Sequence, residues 1–412
     1  MTSLRDTLNK RHRTERRFRM AGKLSMLSGL FALVVLLSYI LIQGAGGFFR
    51  YEVALMVDTN HPALEKRQYR KVINVALYET LRLEDRRLRL QARQLLSRAA
   101  PDVLEEHLSR GDASSPSKQQ IWLPLSPLGE GVLTETYDAT LPEEERPIKD
   151  SHIRWLSALE EQGMVRHAFN SDFFTQGASS APERAGVGIA LLGSFLMMLI
   201  VASISLPLGV ASAIYLEEFA PRKSRWVRLI ELNINNLAAV PSIVFGILGL
   251  AIFINTFGLP RSSPLVGGLV LTLMTLPTII IATRAVLQAV PSSIKWAAYG
   301  LGASKQQALF HHVLPIASPG IITGAIIGLA QALGETAPLL IIGMVAFVAD
   351  YPQTITEPAS ALPVQTFIWA GSPDPAFATR TAASIVVLLF FLIAMNAIAV
   401  YLRHRFEKRG LL

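Results

Sequence analysis

Long apolar stretches without a charged residue recur along this 412-residue chain. Five of them contain no Asp, Glu, Lys or Arg, namely residues 24–49, 185–216, 232–260, 262–283 and 381–402. A sixth, at 319–349, contains only Glu335. Each stretch reaches the roughly 20 residues that a helix needs to cross the hydrocarbon core of a bilayer. The pattern therefore predicts an all-α polytopic membrane protein with six transmembrane helices.

The first apolar stretch has two interpretations. Its most apolar part, residues 24–42, follows a basic leader at 1–23 and precedes the small residues Gly44, Ala45 and Gly46, as the core of a cleaved signal peptide does. The apolar core of a signal peptide is usually about 7 to 15 residues long, whereas this stretch is long enough to span a membrane. We interpret it as the first transmembrane helix, with cleavage as the alternative.

Lys and Arg are distributed unevenly among the segments between the spans. They are frequent in the leader, at 221–228 and in the tail at 404–412, whereas the segment at 347–379 has acidic residues but neither Lys nor Arg. Short cytoplasmic segments are enriched in Lys and Arg, so both termini are predicted to be cytoplasmic. The formal net charge of +8 is then explained by basic segments beside anionic lipid headgroups. It does not indicate nucleic-acid binding, because no nucleic-acid motif accompanies it.

Residues 43–184 form a long insert between the first and second spans. Long loops cross the membrane largely regardless of their charge, so the insert is predicted to be periplasmic. Apolar positions at helical spacing predict one long amphipathic helix over 63–100 and a second helix over 151–162, with a Gly- and Ser-rich loop at 111–118 between them. The insert is therefore expected to be mainly helical. A docking or gating domain and a structural cap both fit it.

A polar, helix-prone segment at 291–318 lies between two of the apolar stretches. Gly302 is expected to take a positive φ and turn the chain between two short helices. Ser304 and Gln307, three residues apart, have the pattern of a capping box at the start of the second helix. Pro315 is expected to end that helix, because proline cannot donate the next backbone hydrogen bond. The segment therefore predicts a helix, a corner and a helix that project from the cytoplasmic face.

This spacing resembles the EAA loop of ABC importer permeases. The loop has the pattern Glu-Ala-Ala, three residues, Gly, nine residues, then Ile, any residue, Leu and Pro. The chain departs from it at Trp296, in the place of Glu, and at His312, in the place of Ile. The resemblance implies that the segment is the coupling element, which sits in a cleft of an ATP-hydrolysing subunit. The residues that match the pattern, and that would carry this role, are Ala297, Ala298, Gly302, Leu314 and Pro315.

Three further stretches resemble the phosphate importer permease family PstA. They are LPLGVASAIYLEEFAP from Leu206, NNLAAVPSIVFGILGL from Asn235 and LGETAPLL from Leu333. The resemblance covers 186–403 and implies a type I ABC importer permease core of five helices at 185–403, in the bacterial inner membrane. It also implies three kinds of partner: a dimer of PstB-like ATPase subunits, a second, PstC-like permease and a periplasmic, PstS-like phosphate-binding protein.

The chain is not expected to be an enzyme. It has no GxxxxGK[ST] loop with which to bind and hydrolyse ATP, so the energy for transport would come from a partner subunit. It has no Cys, which excludes disulfides and thiolate metal sites. Neither a cofactor nor a metal is implied by its motifs.

Four residues are candidates for the path of the transported anion. Arg284 and Glu335 are ionisable residues within or beside apolar stretches, where charges usually have a function. Arg284 also lies near the inner surface, where it could instead extend to lipid phosphate. Glu335 lies about 24 Å along a helix from Pro319, at a different depth, so a direct pair with Arg284 is not expected. Asn235 and Asn236 would line the path or, in the interpretation that we favour, form hydrogen bonds between helices.

Two alternative functions remain at this level. A permease for another oxyanion, such as molybdate or sulfate, would have the same coupling loop. A secondary transporter or a membrane sensor would instead be expected to have inverted repeats or a cytoplasmic signalling domain. The chain shows no internal repeat, and its tail after residue 402 is too short for a domain. The preferred prediction is therefore a membrane-spanning permease subunit of an ATP-driven phosphate importer.

Overall fold

The computed structural model describes residues 2–110, 117–134, 137, 141–179, 181–221 and 224–409. Within these residues, five helices are long and apolar enough to cross a membrane. A sharply bent pair of helices makes a sixth candidate span. The six predicted spans are therefore present, although the third of them is broken.

The first span leads into an insert that combines short helices with three strands. In chain order these elements are α1 (Thr2–Ala45), β1 (Phe49–Asp58), α2 (Tyr69–Thr80), α3 (Arg86–Ala92), α4 (Ala100–Arg110), β2 (Lys118–Pro124), α5 (Pro127–Leu133), α6 (Asp150–Glu161), β3 (Val165–Phe169) and α7 (Asp172–Thr175).

The remaining elements form the membrane core, and three of its helices contain π-helical turns. They are α8 (Gly188–Ile214), α9 (Arg225–Ala238), α10 (Ser242–Gly249), α11 (Pro264–Ala289), α12 (Ser292–Gly300), α13 (Lys305–Ala308), α14 (Leu314–Gly334), α15 (Ala337–Ile341), α16 (Leu362–Ala370) and α17 (Ala376–Arg409). The π-helical turns are Tyr215–Phe219 after α8, Leu250–Thr256 after α10 and Leu309–Val313 between α13 and α14.

The insert is built on a sheet that the helical prediction missed. β1 is the central strand of an antiparallel sheet with the order β2-β1-β3. It pairs with β2 as far as Asp58, which lies opposite Lys118, and its first half pairs with β3, where Phe49 lies opposite Phe169. The helices α2, α4 and α6 pack against these strands and enclose an apolar core. The insert is therefore a mixed helix-and-sheet domain.

The predicted long helix over 63–100 is wrong, because this range contains two shorter helices, α2 and α3, and the next helix, α4, begins only at Ala100. The chain turns at Arg82, whose φ is +52°. Asp85 then caps α3, since its carboxylate accepts a hydrogen bond from the Arg87 backbone N–H at 2.9 Å. The helical spacing of apolar residues continues across these breaks because α2 and α4 each turn an apolar side to the sheet. The second predicted helix is confirmed as α6, and the predicted loop at 111–118 lies almost entirely outside the described residues.

The membrane core places α8 and α11 side by side along most of their lengths, and they are its most buried spans. By contrast, α1 and α17 are largely exposed and pack together at the ends that adjoin the insert. At this crossing a Cβ atom on Gly47 would lie 2.6 Å from the Cβ of Ala383, and one on Gly44 would lie 2.9 Å from the Ala382 carbonyl oxygen. Small residues allow such close approach between membrane helices. Gly44, one of the small residues that suggested a cleavage site, therefore has a packing role.

The third predicted span is broken into α9 and α10, which meet at 103°. Pro241 lies at the break and precedes the first residue of α10. Proline has no N–H to donate to a preceding turn, and it disfavours the helical conformation in the residue before it, here Val240. The bend leaves α9 against α11 and α10 against α15.

Candidate coupling element and charged cavity

The predicted corner at 291–318 is present, and its backbone follows a recurrent helix-ending motif. Gly302 has a φ of +86°. Its N–H donates to the Tyr299 carbonyl at 2.9 Å, and the N–H of Ala303 donates to the Ala298 carbonyl at 3.0 Å. These two bonds satisfy carbonyl groups at the end of α12 and define a Schellman motif, in which glycine is favoured at the positive-φ position. The corner is thus a defined turn between two helices.

The second helix of the corner begins with the predicted capping box. The Gln307 backbone N–H donates to the Ser304 hydroxyl at 3.3 Å, and the Ser304 backbone N–H donates to the Gln307 side-chain oxygen at 2.9 Å. This exchange satisfies two of the free N–H groups at a helix start. The chain direction after Gly302 is therefore set by local hydrogen bonds.

The prediction that Pro315 ends this helix is wrong. The π-helical turn at Leu309–Val313 joins α13 to α14, so the chain remains helical from Lys305 to Gly334. A π turn replaces the α-helical bonding pattern with one of wider spacing, which accommodates a proline in the second position of α14. The corner is therefore continuous with a membrane span.

The corner presents large apolar side chains on its surface. Leu301 is 91% exposed, Trp296 is 70% exposed and Phe310 is 60% exposed. Of the residues that match the family pattern, Ala297 and Gly302 are also exposed, whereas Ala298 is buried. Leu314 and Pro315 are half-buried at the base of α14.

Arg284 lies at the inner end of α11 and points to carboxylates of neighbouring helices. Its Nη2 atom donates to Glu231 Oε1 of α9 at 2.7 Å and lies 3.7 Å from Glu217 Oε2, in the π turn after α8. Gln288 donates to the same Glu217 carboxylate at 2.9 Å. Arg284 is thus held within the bundle, and the alternative in which it extends to lipid phosphate is not the arrangement found.

A second ion pair joins the corner to α8. Lys295 of α12 forms an ion pair with Glu218, and both side chains are largely buried. Lys295 also lines the same cavity as Arg284, which has a volume of about 800 Å³ and includes Arg225 and Arg228 of α9 in its wall. The cavity therefore has charges of both signs and lies directly beside the start of α12.

Glu335 lies at the end of α14, where the predicted sixth stretch stops being one continuous helix. Its backbone N–H donates to the Ala332 carbonyl at 3.3 Å, and a short helix, α15, follows. Its half-buried carboxylate has no hydrogen-bond or ion-pair partner among the described residues. Arg284 pairs with Glu231 and not with Glu335. This agrees with the prediction that Arg284 and Glu335 lie at different depths.

Asn235 and Asn236 lie on α9 with exposed side chains. Within the part of the chain that the structure describes, neither forms the predicted hydrogen bond between helices. The neighbouring Asn233 donates only to the Leu229 carbonyl of its own helix, at 2.8 Å. The four path candidates are therefore not brought together in one site of this chain.

The sequence interpretation missed the partners of Arg284 and Lys295. These are Glu217, Glu218 and Glu231, and they lie at the borders of apolar stretches 185–216 and 232–260. Their position next to the end of a span could have indicated this pairing, because acidic residues there lie at about the same depth in the membrane as Arg284. Which of them forms which pair required the packing of α8, α9 and α11.

Two family models match the chain. One, described as "Binding-protein-dependent transport system inner membrane component", matches residues 205–409. The other, described as a domain of unknown function (DUF3333), matches residues 5–143, which include the first span and most of the insert. The DUF3333 match ends before the membrane core at 185–403 begins, whereas the transport-system match begins within that core. The two family models therefore match different parts of the chain.

Several curated proteins are similar to the membrane core. The phosphate transport system permease protein PstA of Mycobacterium leprae is 36% identical over 39% of this chain and 53% of its own length. PstA 1 of Mycobacterium tuberculosis CDC 1551 is 30% identical over 54% of this chain and 72% of its length. PstA of Yersinia pestis is 33% identical over 53% of this chain and 73% of its length. The chain thus spans from about half to about three quarters of these relatives.

Proposed function

Because this chain belongs to the family of phosphate transport system permease proteins, we propose that it is a membrane-spanning subunit of an ATP-driven phosphate importer. It is a transport component of the inner membrane. Its proposed partners are a dimer of PstB-like ATPase subunits, a second, PstC-like permease and a periplasmic, PstS-like phosphate-binding protein. In this proposal both termini and the corner are cytoplasmic, and the insert is periplasmic.

The observation that carries the proposal is the exposed apolar corner around Gly302. Large apolar side chains such as Leu301 and Trp296 lie beyond the inner ends of the spans, where a polar surface would otherwise be expected. A projecting apolar residue that fills a pocket is the usual centre of a protein interface. The corner therefore suits a cleft on an ATPase subunit.

Two connections would carry movement of the corner into the membrane. The first is covalent, because α13, the π turn and α14 form one continuous helix. The second is the ion pair between Lys295 and Glu218, which ties α12 to the inner end of α8. A displacement of the corner by the nucleotide cycle would thus shift two spans together.

Phosphate is proposed to pass beside α9 and α10, with Arg284 near its exit. Fixed positive charge lowers the cost of moving a hydrated anion through a region of low dielectric constant. The carboxylates of Glu217 and Glu231 partly neutralise the positive charge of Arg284. Its attraction for a passing anion would therefore be weaker than that of an unpaired arginine. Exposed Asn235 and Asn236 offer neutral donors along the same helix. The second permease would complete this path.

The test is reconstitution of the chain with the three proposed partners in vesicles that contain ATP. We expect binding-protein-dependent phosphate uptake that excess molybdate and sulfate do not inhibit. Uptake of molybdate or sulfate, with no uptake of phosphate, would favour the alternative of another oxyanion. The chain has no Cys, so a Leu301→Cys variant can be cross-linked at one position. Failure of that position to cross-link to the ATPase subunit in active complexes would exclude the proposed contact.

A further inference from the structure

One end of the sheet in the insert exposes a row of aromatic side chains. Phe49 and Tyr51 lie on the same side of β1, and His167 and Phe169 lie opposite them on β3. The His167 ring is 4.8 Å from that of Phe49 and 4.7 Å from that of Tyr51, and the Phe49 and Phe169 rings are 5.8 Å apart. Phe174 extends this aromatic row, with its ring stacked 5.8 Å from that of Phe169.

The aromatic row continues the buried side of β1 beyond the domain core. Val53, Leu55 and Val57, which alternate along the same strand, are buried in the core of the insert. By contrast, Phe49 is 39% exposed and Phe169 is 57% exposed. Phe174 of the short helix α7 stacks on the Phe169 ring but leaves both rings partly exposed, so an apolar surface emerges at this end of the domain.

Charged residues on the opposite side of the strands form an ion-pair network, in which Arg50 and Glu52 are largely buried and Arg166 is about half exposed. Glu52 is 4% exposed and accepts hydrogen bonds from Arg50 Nε at 2.8 Å and from Arg166 Nη2 at 2.6 Å. Arg50 also pairs with Asp172. This network joins β1 to β3 and to the start of α7. It therefore fixes the pairing of the two strands, and with it the side of the strands that carries the aromatic row.

The aromatic row lies level with the outer ends of three spans. Phe49 follows Ile42, near the end of the first apolar stretch, by only seven residues. At the first residue of α8, Gly188, a Cβ atom would lie 2.5 Å from the Phe174 carbonyl oxygen. Gly47, two residues before Phe49, packs in the same way against Thr379 of α17. The row is thus adjacent to the points where α1 and α17 leave the membrane and where α8 enters it.

We propose that the aromatic row is immersed in the headgroup layer of the outer leaflet and anchors the insert to the membrane surface. Aromatic side chains concentrate at this depth because their rings prefer the boundary between hydrocarbon and water. The row is continuous with the exposed, lipid-accessible surface at the outer end of α1, where Ile42 is 76% exposed. Phe49, Tyr51 and His167 share with Ile42 and Gln43 the wall of an open cavity of about 610 Å³, which is large enough to admit a lipid headgroup.

The insert would in this way be held flat on the membrane beside the outer opening of the core. The anchor is independent of the transported solute, but it rests on the membrane orientation given in the proposed function. A protein partner at the same surface is the competing possibility, and the experiment below separates the two.

The experiment uses single-cysteine labelling, which the absence of native Cys allows. Phe169→Cys is labelled with a nitrobenzoxadiazole fluorophore, and the full chain is reconstituted in phosphatidylethanolamine–phosphatidylglycerol vesicles. Met56→Cys is the control, because Met56 is apolar, 44% exposed and on β1, the strand that pairs with the strand of Phe169. It lies about 23 Å farther along β1 from Phe49, at roughly 3.3 Å per residue. Phe174→Cys serves as a second variant in case the first does not fold.

We expect a headgroup-attached spin label to quench the fluorophore at position 169 several-fold more strongly than at position 56. Aqueous iodide should show the opposite order. Equal quenching at both positions by each agent would overturn the proposal. A second result would also overturn it. In that result the fluorophore at position 169 is insensitive to the spin label, and it becomes shielded from iodide only when the periplasmic binding protein is added. The aromatic row would then be the contact site of a protein partner.

Discussion

The two ends of this molecule both expose large apolar side chains, but they differ in shape and in the way they are held. At the inner end a few residues project from the sharp corner at Gly302. At the outer end the aromatic row lies flat on two strands, beside the ends of three spans. A projecting side chain suits a pocket on a protein, whereas a flat row suits the surface of a bilayer. The contrast agrees with the two proposals, a protein partner at the corner and a lipid partner at the aromatic row.

The two surfaces also depend on different interactions. The corner is fixed by backbone hydrogen bonds and one positive φ, all within residues 292–308. The aromatic row is fixed by buried ion pairs that join residues more than a hundred positions apart. Changes at the inner end should therefore alter coupling without unfolding the subunit. Changes at the outer end should alter the stability of the insert first.

The largest expected effect is that of Gly302→Val on transport. A β-branched residue at a φ of +86° costs about 1–3 kcal/mol of backbone strain, which would deform the corner. We expect phosphate uptake to be lost while membrane insertion is unchanged, measured as uptake and ATP hydrolysis in vesicles. Gly300→Ala is the matched control, since Gly300 has no positive φ and a Cβ atom there meets open space. Normal uptake with Gly302→Val would refute a rigid corner.

The next largest effect is expected for Glu52→Ala in the insert. The substitution leaves the buried Arg50 guanidinium and the nearby Arg166 without their shared carboxylate. Removal of one partner from a buried ion pair destabilises a protein by about 3–5 kcal/mol when the other charge is left unpaired, and because Arg50 keeps its pair with Asp172 we expect the lower end of this range. Thermal unfolding and limited proteolysis should show this loss. Glu79→Ala, which removes an exposed contact with Lys118, should leave both measurements nearly unchanged, and a similar loss from both substitutions would contradict the assigned role of burial.

A smaller effect is expected from the ion pair between Lys295 and Glu218. Reversal of either charge should reduce uptake by on the order of tenfold, in line with usual coupling energies between sites. The double variant Lys295→Glu with Glu218→Lys should recover much of the activity. Uptake that is as low in the double variant as in the single variants would mean that the pair is not a mechanical link. Gln288→Ala, which alters only a nearby hydrogen bond, is the control.

The smallest effect is expected from the pH dependence that His152 confers on the insert. Its ring is fully buried and its Nδ1 atom accepts the Lys149 backbone N–H at 3.2 Å. Burial lowers the pKa of His152 below its ordinary value of 6.5, so the folded insert keeps the ring neutral. The unfolded chain then binds more protons, and stability is lost as the pH falls through 6.5.

This loss should appear as a decrease in the melting temperature of the insert between pH 7 and pH 5. The exposed His107 provides the comparison. His107→Gln should retain the full dependence on pH, whereas His152→Gln should reduce its slope. An unchanged slope in the His152 variant would show that another group titrates in this range.

Features that depend on neighbouring residues could be predicted from the amino-acid sequence alone. Charge-free stretches set the spans because unpaired charges are costly in hydrocarbon. Gly302, Ser304 and Gln307 set the corner because a positive φ and a capping box involve only a few consecutive residues. The family motifs lie in the same local segments, which is why the resemblance and the physical interpretation agreed.

Only the tertiary structure decided the sheet of the insert and the partners of the charged residues. Phe49 pairs with Phe169, 120 positions later, and no local pattern specifies such a pairing. The helical spacing at 63–100 was correct for each short helix but could not show where packing against the sheet interrupts them. Arg284 likewise meets Glu231 because α9 bends away from α10 and packs on α11. These choices depend on contacts between distant segments, whose free energy becomes available only when the chain has folded.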